Sequence, residues 1–307
     1  MNKKDTYITF GMLIITATLS LMFLPDSTKH SSAEEKPIVK QLYKQPTPVA
    51  VKAKAAFVFD TITHKTLFAK NELEALPLAS LTKIMTAVTA ADLATQNTVV
   101  TIGDSSLAQN GDSGLYLNEK WNLKKLLQYT LVASSNDGAA AVASALGVRG
   151  SDNATTSSRA FVTAMNAKAK KLELNTMRFY NPSGLDESQT EAGAYGSAQD
   201  VAALLAYAMQ HDRDIIEPTR YASFNVRSID ELKHTAQNTD KIANTIPSLI
   251  AGKTGYTDLA GGNLAVVFDA EIGHPVVVVV LGSTYNGRFE DVKSLVDFSL
   301  QSITNTP

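Results

Sequence analysis

Strand-forming segments lie towards both ends of this chain, and helix-forming segments fill the span between them. Ala56-Phe57-Val58-Phe59-Asp60 and Lys65-Thr66-Leu67-Phe68-Ala69 are apolar runs separated by a polar turn, the pattern of a β-hairpin. Near the other end, residues 263–268 and 275–281 read as strands, the second with Val276 to Val280 unbroken. Between them, residues 123–132, 137–146, 158–172 and 198–209 carry apolar positions at helical spacing, and a last amphipathic helix is predicted at 289–300. Strands that enclose helices predict an α+β domain whose terminal segments join in one sheet. No internal repeat is visible.

The 307 residues, 44% hydrophobic and 19% charged, suit one large globular domain with a substantial core. A formal net charge of −2 with no strongly basic stretch argues against nucleic acid as a partner. Cysteine is absent, which excludes disulfides, thiolate catalysis and Cys-based metal sites but not export. Lys3 and Lys4 precede an uncharged, apolar stretch at 7–24. At about 1.5 Å per residue that stretch reaches roughly 27 Å, near the hydrocarbon thickness of a bilayer. No small-x-small pair follows it directly, so residues 1–25 read as an uncleaved membrane anchor, with a cleaved signal peptide as the alternative. Residues 26–52, with Glu34-Glu35-Lys36 and Gln45-Pro46-Thr47-Pro48, read as a flexible tether, and 53–303 as the functional domain on the extracytoplasmic face.

Ser80-Leu81-Thr82-Lys83 places an amine one helical turn from a hydroxyl, on one face of the helix expected there. Leu81, Ile84, Met85 and Val88 would strip water from that amine and favour its neutral form, which can then activate Ser80 for acyl transfer. Ser134-Ser135-Asn136 falls between two predicted helices, and Lys253-Thr254-Gly255 just before the closing strands. Each segment alone has an ordinary explanation: an N-capping serine for the first two, an edge strand with an exposed lysine for the third. The order Ser-x-x-Lys, Ser-x-Asn, Lys-Thr-Gly is that of penicillin-binding proteins and β-lactamases.

With these motifs the chain resembles the low-molecular-weight penicillin-binding proteins, the serine-type D-alanyl-D-alanine carboxypeptidases of peptidase family S11, over roughly residues 53–302. Residues 77–86 and 131–137 look like the family's nucleophile and second segments, and 253–258 with Ala260-Gly261 like its third. Asn181-Pro182-Ser183-Gly184-Leu185-Asp186 is similar to a family loop that often has histidine where this chain has Ser183. The resemblance implies a transpeptidase-like fold, an antiparallel sheet with a helical subdomain. It implies a peptidoglycan stem peptide ending in D-Ala-D-Ala as substrate, β-lactam antibiotics as covalent inhibitors, and no cofactor. By the same resemblance Ser80 is the nucleophile, Lys83 the base and Ser134 the proton relay, Asn136 holds substrate and Lys83, and Lys253 keeps the local field positive. The backbone N–H groups of Ser80 and Tyr256 would hold the oxyanion, Gly255 and Tyr256 would bind substrate, and Thr254, Thr257 and Arg288 would bind its terminal carboxylate.

Other signals fit less well. Ser151-Asp152-Asn153 is a literal Ser-Asp-Asn but lies in a polar loop with no apolar run leading into it. Gly111-Asp112-Ser113-Gly114 would need an upstream His–Asp pair, which the context of His64 does not supply. The five histidines, His30, His64, His211, His234 and His274, show no metal-ligand spacing and read as surface residues. The rival enzymatic readings are a class A-like β-lactamase, for which no Glu-x-x-Leu-Asn segment is present, and a D,D-endopeptidase. A catalytically inert penicillin-binding module is the rival of another class.

Overall fold

The computed structural model describes residues 49–111, 114–147 and 153–304. The expected anchor at 1–25 and most of the tether lie outside them. Elements are numbered in chain order. A central antiparallel sheet has the order β10-β11-β12-β1-β2, formed by Ala55–Asp60 (β1), Thr66–Lys70 (β2), Leu249–Thr257 (β10), Gly261–Asp269 (β11) and Pro275–Ser283 (β12). Ala55 pairs with Leu281 and Asp60 with Val276, so the first and last strands of the domain lie side by side, as the flanking pattern predicts.

The valine run explains why this sheet is central. Val277, Val279 and Leu281 enter one hydrophobic core, and Val276, Val278 and Val280 enter a second on the opposite face. A strand buried on both faces has no polar alternation to show. The second face is covered by Gly287–Thr304 (α8), which contributes Phe289, Val292, Leu295 and Val296. Each such side chain taken out of water contributes about 1.5–3 kcal/mol. Val49 and Val51 pack against the same core, and Lys52 N–H and Ala53 N–H donate to Asp291 at 2.8 and 2.9 Å.

The first face is covered by Ala198–His211 (α6) and by a helical subdomain of Thr82–Leu93 (α1), Asp104–Leu107 (α2), Leu123–Ala133 (α3), Asn136–Leu146 (α4) and Ala154–Lys171 (α5). Short pairings complete it: Ala194–Gly196 (β7) between Leu76–Pro77 (β3) and Arg178–Phe179 (β6), and Val99–Thr101 (β4) with Lys120–Asn122 (β5). Arg213–Ile216 (α7) then leads to a hairpin, Ser223–Arg227 (β8) and Lys233–Gln237 (β9), that the sequence does not announce.

His234 on β9 corrects one expectation. Its Nε2 meets Glu119 Oε1 at 2.7 Å with both side chains buried, and its ring centroid lies 4.9 Å from that of Trp121. It is a core strut, not a surface residue, and it ties the hairpin to the helical subdomain. The rejected Asn153 has a structural duty, since its Oδ1 accepts from Thr156 N–H at the start of α5. Ser151 and Asp152 lie outside the described residues, as do Asp112 and Ser113.

Candidate active site

The nucleophile turn precedes α1. Ala79–Leu81 forms a single 3-10 turn, with Ala79 held at φ +48° in the left-handed region. Ser80 therefore does not cap α1: the residue before the helix is Leu81, and no side chain caps it. Lys83 then rises from the first turn of α1, fully buried, and its Nζ lies 2.8 Å from Ser80 Oγ, from Asn136 Oδ1 and from the Ser183 carbonyl oxygen. Burial, and then the positive charge of Lys253, hold the Lys83 amine well below the usual lysine range.

The second motif divides its labour. Ser135 caps α4 by accepting from Gly138 N–H at 2.8 Å, which frees its neighbours. Ser134 sits at the C-terminus of α3 with φ +58°, and the left-handed turn aims its hydroxyl at Lys253 Nζ, which donates to it at 2.8 Å. Asn136 opens α4 and is anchored by donation from Nδ2 to the Asn110 carbonyl oxygen at 2.6 Å.

The third motif lies on β10, the edge strand of the sheet, so that part of the ordinary explanation holds. Its lysine is not exposed: Lys253 is 2% accessible. Burial, then the Arg288 guanidinium, lower its pKa to about 7, partly offset by the carboxylate of Asp240. Gly255 lets β10 lie against the nucleophile turn, because a Cβ there would sit 2.8 Å from Leu78 O and 3.2 Å from Ser80 N. Arg288, in the first turn of α8 and buried, donates from Nη1 to the Gly255 carbonyl oxygen at 2.7 Å. Its guanidinium lies 4.6 Å from the ring centre of Tyr285.

A cleft of about 390 Å³ gathers Ser80, Ser134, Asn136, Thr254, Gly255, Tyr256, Thr257 and Arg288. Lys83 and Lys253 form its floor through their bonds to Ser80 and Ser134. Of the ten residues singled out from sequence, Thr257 is the least available, because its hydroxyl proton is donated to Asp186 Oδ1 at 2.9 Å. Sequence reading missed three contributors. The Ser183 loop serves the site through its backbone carbonyl, so the side chain at 183 is not what touches Lys83. Lys241 and Tyr285 form the rim, with Nζ 5.0 Å from the ring centre, and nothing in their local sequence marks them.

The chain matches known proteins in sequence and in fold. The family model described as D-alanyl-D-alanine carboxypeptidase, peptidase family S11, matches residues 41–284. The chain is 30% identical over 275 residues to the D-alanyl-D-alanine carboxypeptidase DacF of Bacillus subtilis, covering 87% of this chain and 67% of that protein. It is 29% identical over 307 residues to DacD of Escherichia coli, a protein of the same description, covering 95% and 72%. The fold is similar to the crystal structure of the Streptomyces K15 DD-transpeptidase, with a TM-score of 0.74 at 22% identity over 82% of this chain and 98% of that one. By sequence model, relatives and fold together, this chain belongs to the D-alanyl-D-alanine carboxypeptidases of peptidase family S11.

Proposed function

We propose that the domain removes the terminal D-alanine from peptidoglycan stem peptides through an acyl-enzyme on Ser80. The observation that carries this is a fully buried Lys83 amine 2.8 Å from the Ser80 hydroxyl, in a cleft that also holds Arg288. Neutral Lys83 takes the Ser80 proton as Oγ attacks the carbonyl between the two D-alanines. The backbone N–H groups of Ser80 and Tyr256 hold the oxyanion. Ser134 passes a proton from Lys83 to the leaving amine; because Lys253 donates to its oxygen, its own proton is free to be given. Lys83, neutral again, deprotonates the water that releases the acyl group. Asn136 holds Lys83 and the substrate amide.

Arg288 and Thr254 take the terminal carboxylate, with Thr257 joining only if its hydroxyl leaves Asp186. Arg288→Gln should lower D-alanine release from a D-Ala-D-Ala peptide by about 10–100-fold. The same peptide with a C-terminal amide should be little affected. Equal losses on both would remove Arg288 from carboxylate binding.

The two lysines set opposite limits on pH. Lys83 must be neutral, so the rate rises as pH climbs through its lowered pKa. Lys253 must stay charged, so the rate falls above about 7. β-Lactams acylate the same serine. Among the described residues lining the cleft none is a carboxylic acid placed to speed deacylation, which favours a long-lived drug adduct over the β-lactamase reading. The uncharged stretch behind Lys3 and Lys4 supports a site on the extracytoplasmic membrane face, which fractionation of cells carrying the full chain would test.

The deciding experiment is release of free D-alanine from a synthetic pentapeptide ending in D-Ala-D-Ala. The native domain should release it and Ser80→Ala should not. Equal release by both would end the proposal.

A further inference from the structure

Asp240 is a buried carboxylate that the acyl-transfer scheme leaves idle. It lies in the turn after β9, where Asn238, Thr239 and Lys241 line the cleft while Asp240 is only 3% accessible. Its Oδ1 accepts from Ile242 N–H at 3.0 Å, but Oδ2 has no hydrogen-bond partner and no accessible surface. That oxygen packs on β10, since a Cβ built on Gly252 would lie 3.3 Å from it, on the strand face that Thr254 shares and across the backbone from the adjacent Lys253. The turn is strapped to the same strand by a Thr239–Thr254 hydroxyl contact of 2.5 Å. Among the described residues Asp240 makes no direct ion pair, and a solitary buried carboxylate is costly unless a nearby positive field offsets it.

We propose that Asp240 is the counter-charge that keeps Lys253 cationic during acylation, and so sets how alkaline a solution the enzyme tolerates. The charges around the cleft support this. Lys253 and Arg288 are buried cations, from β10 and α8; burial pushes the Asp240 carboxyl above the usual carboxylate range, while the Ile242 N–H, Arg288 and then Lys253 pull it back towards the charged form. Tyr256 and Tyr285 flank Arg288, Lys241 lies over the Tyr285 ring on the solvent side, and Lys83 feels Lys253 from α1. With Lys83 neutral, Lys253, Arg288 and Asp240 leave one net positive charge, which the substrate's single terminal carboxylate then balances. Remove Asp240, and two buried cations face one arriving anion. Lys253 is the one that can shed a proton, because a guanidinium does not. A neutral Lys253 no longer polarises Ser134 or attracts the carboxylate. Asp240 is thus a positioning residue that acts through the charge of another side chain.

This rests on the acyl-enzyme reading, and the test separates the two. The rate of Ser80 acylation by a fluorescent penicillin is measured from pH 5 to pH 9 for the native domain and for Asp240→Asn. The amide keeps the size and the Oδ1 acceptor of the native side chain. The high-pH limb should move down by about one pH unit while the low-pH limb, set by Lys83, stays in place. At pH 8 the variant should be about 5–10-fold slower, and at the optimum within about twofold of native. A limb that does not move, or an equal loss at every pH, overturns the inference and makes Asp240 purely structural. If the asparagine variant folds poorly, Asp240→Ser carries the same expectation. Native protein that takes no label on Ser80 would overturn the acyl-enzyme reading and this inference with it, whereas normal labelling with an unmoved limb overturns only the inference.

Discussion

Lys83→Met should lower the rate of Ser80 acylation by about 10³–10⁴-fold while leaving the domain folded. The rate loss is that of a hydroxyl deprived of its base. Stability should change little because two effects oppose. An unbranched apolar side chain replaces an amine whose burial is unfavourable, and the Ser183 carbonyl oxygen loses its donor, at about 1–3 kcal/mol. Lys83→Arg separates chemistry from tethering. A guanidinium can still donate to Ser80, Asn136 and Ser183, but it cannot lose its proton. If the amine is the base, both variants are inactive, and the arginine form is the less stable because it buries a charge. If Lys83 merely ties Ser80 in place, the arginine form should keep most of its acylation rate. Single-turnover labelling with a fluorescent penicillin, read beside thermal melts, distinguishes these outcomes.

How much of this could be read beforehand depended on whether a signal was local. Ser80 and Lys83 share one helical turn, so their contact follows from spacing. The Val276 to Val280 run gave strand β12 from composition alone, and the paired ends of the sheet followed from strands flanking helices. Ser134 and Ser135 were harder. The Ser-x-Asn spacing singles out Ser134, but that Ser135 is the helix cap, and that a left-handed backbone turns the Ser134 hydroxyl to the cleft, is visible only in the fold. The β8–β9 hairpin was missed because its strands are short and mostly polar, and its place is fixed by the distant Glu119–His234 pair. For the same reason His234 reads in the sequence as a surface residue. The Ser183 carbonyl escaped because a backbone atom leaves no trace in residue type. The engagement of Thr257 with Asp186 spans 71 positions and is set by tertiary packing.

The 181–186 loop makes the strongest stability prediction, at Gly184. Its φ of +80° already disfavours any side chain, and a Cβ there would lie 1.9 Å from the Ala79 carbonyl oxygen and 2.5 Å from Thr82 Oγ1. The backbone preference alone accounts for about 1–2 kcal/mol. The clash cannot be relieved by a rotamer, because its nearest partner is main chain in the nucleophile turn. Gly184→Ala should therefore cost about 3–5 kcal/mol, a fall in Tm of roughly 10 °C for a domain of this size. It should also slow acylation more than lost stability explains, since one displacement moves Ser80 and withdraws the Ser183 carbonyl from Lys83 together. Pro182, one residue before Ser183 on the chain, provides the comparison. Its carbonyl accepts from Thr86 Oγ1 at 2.6 Å, away from the reacting atoms, so Thr86→Val should lower Tm without changing acylation at a temperature where the variant is folded. A Gly184→Ala domain that melts and acylates like the native protein would show that the loop and the nucleophile turn can part without consequence, and that the third acceptor on Lys83 is incidental to the chemistry.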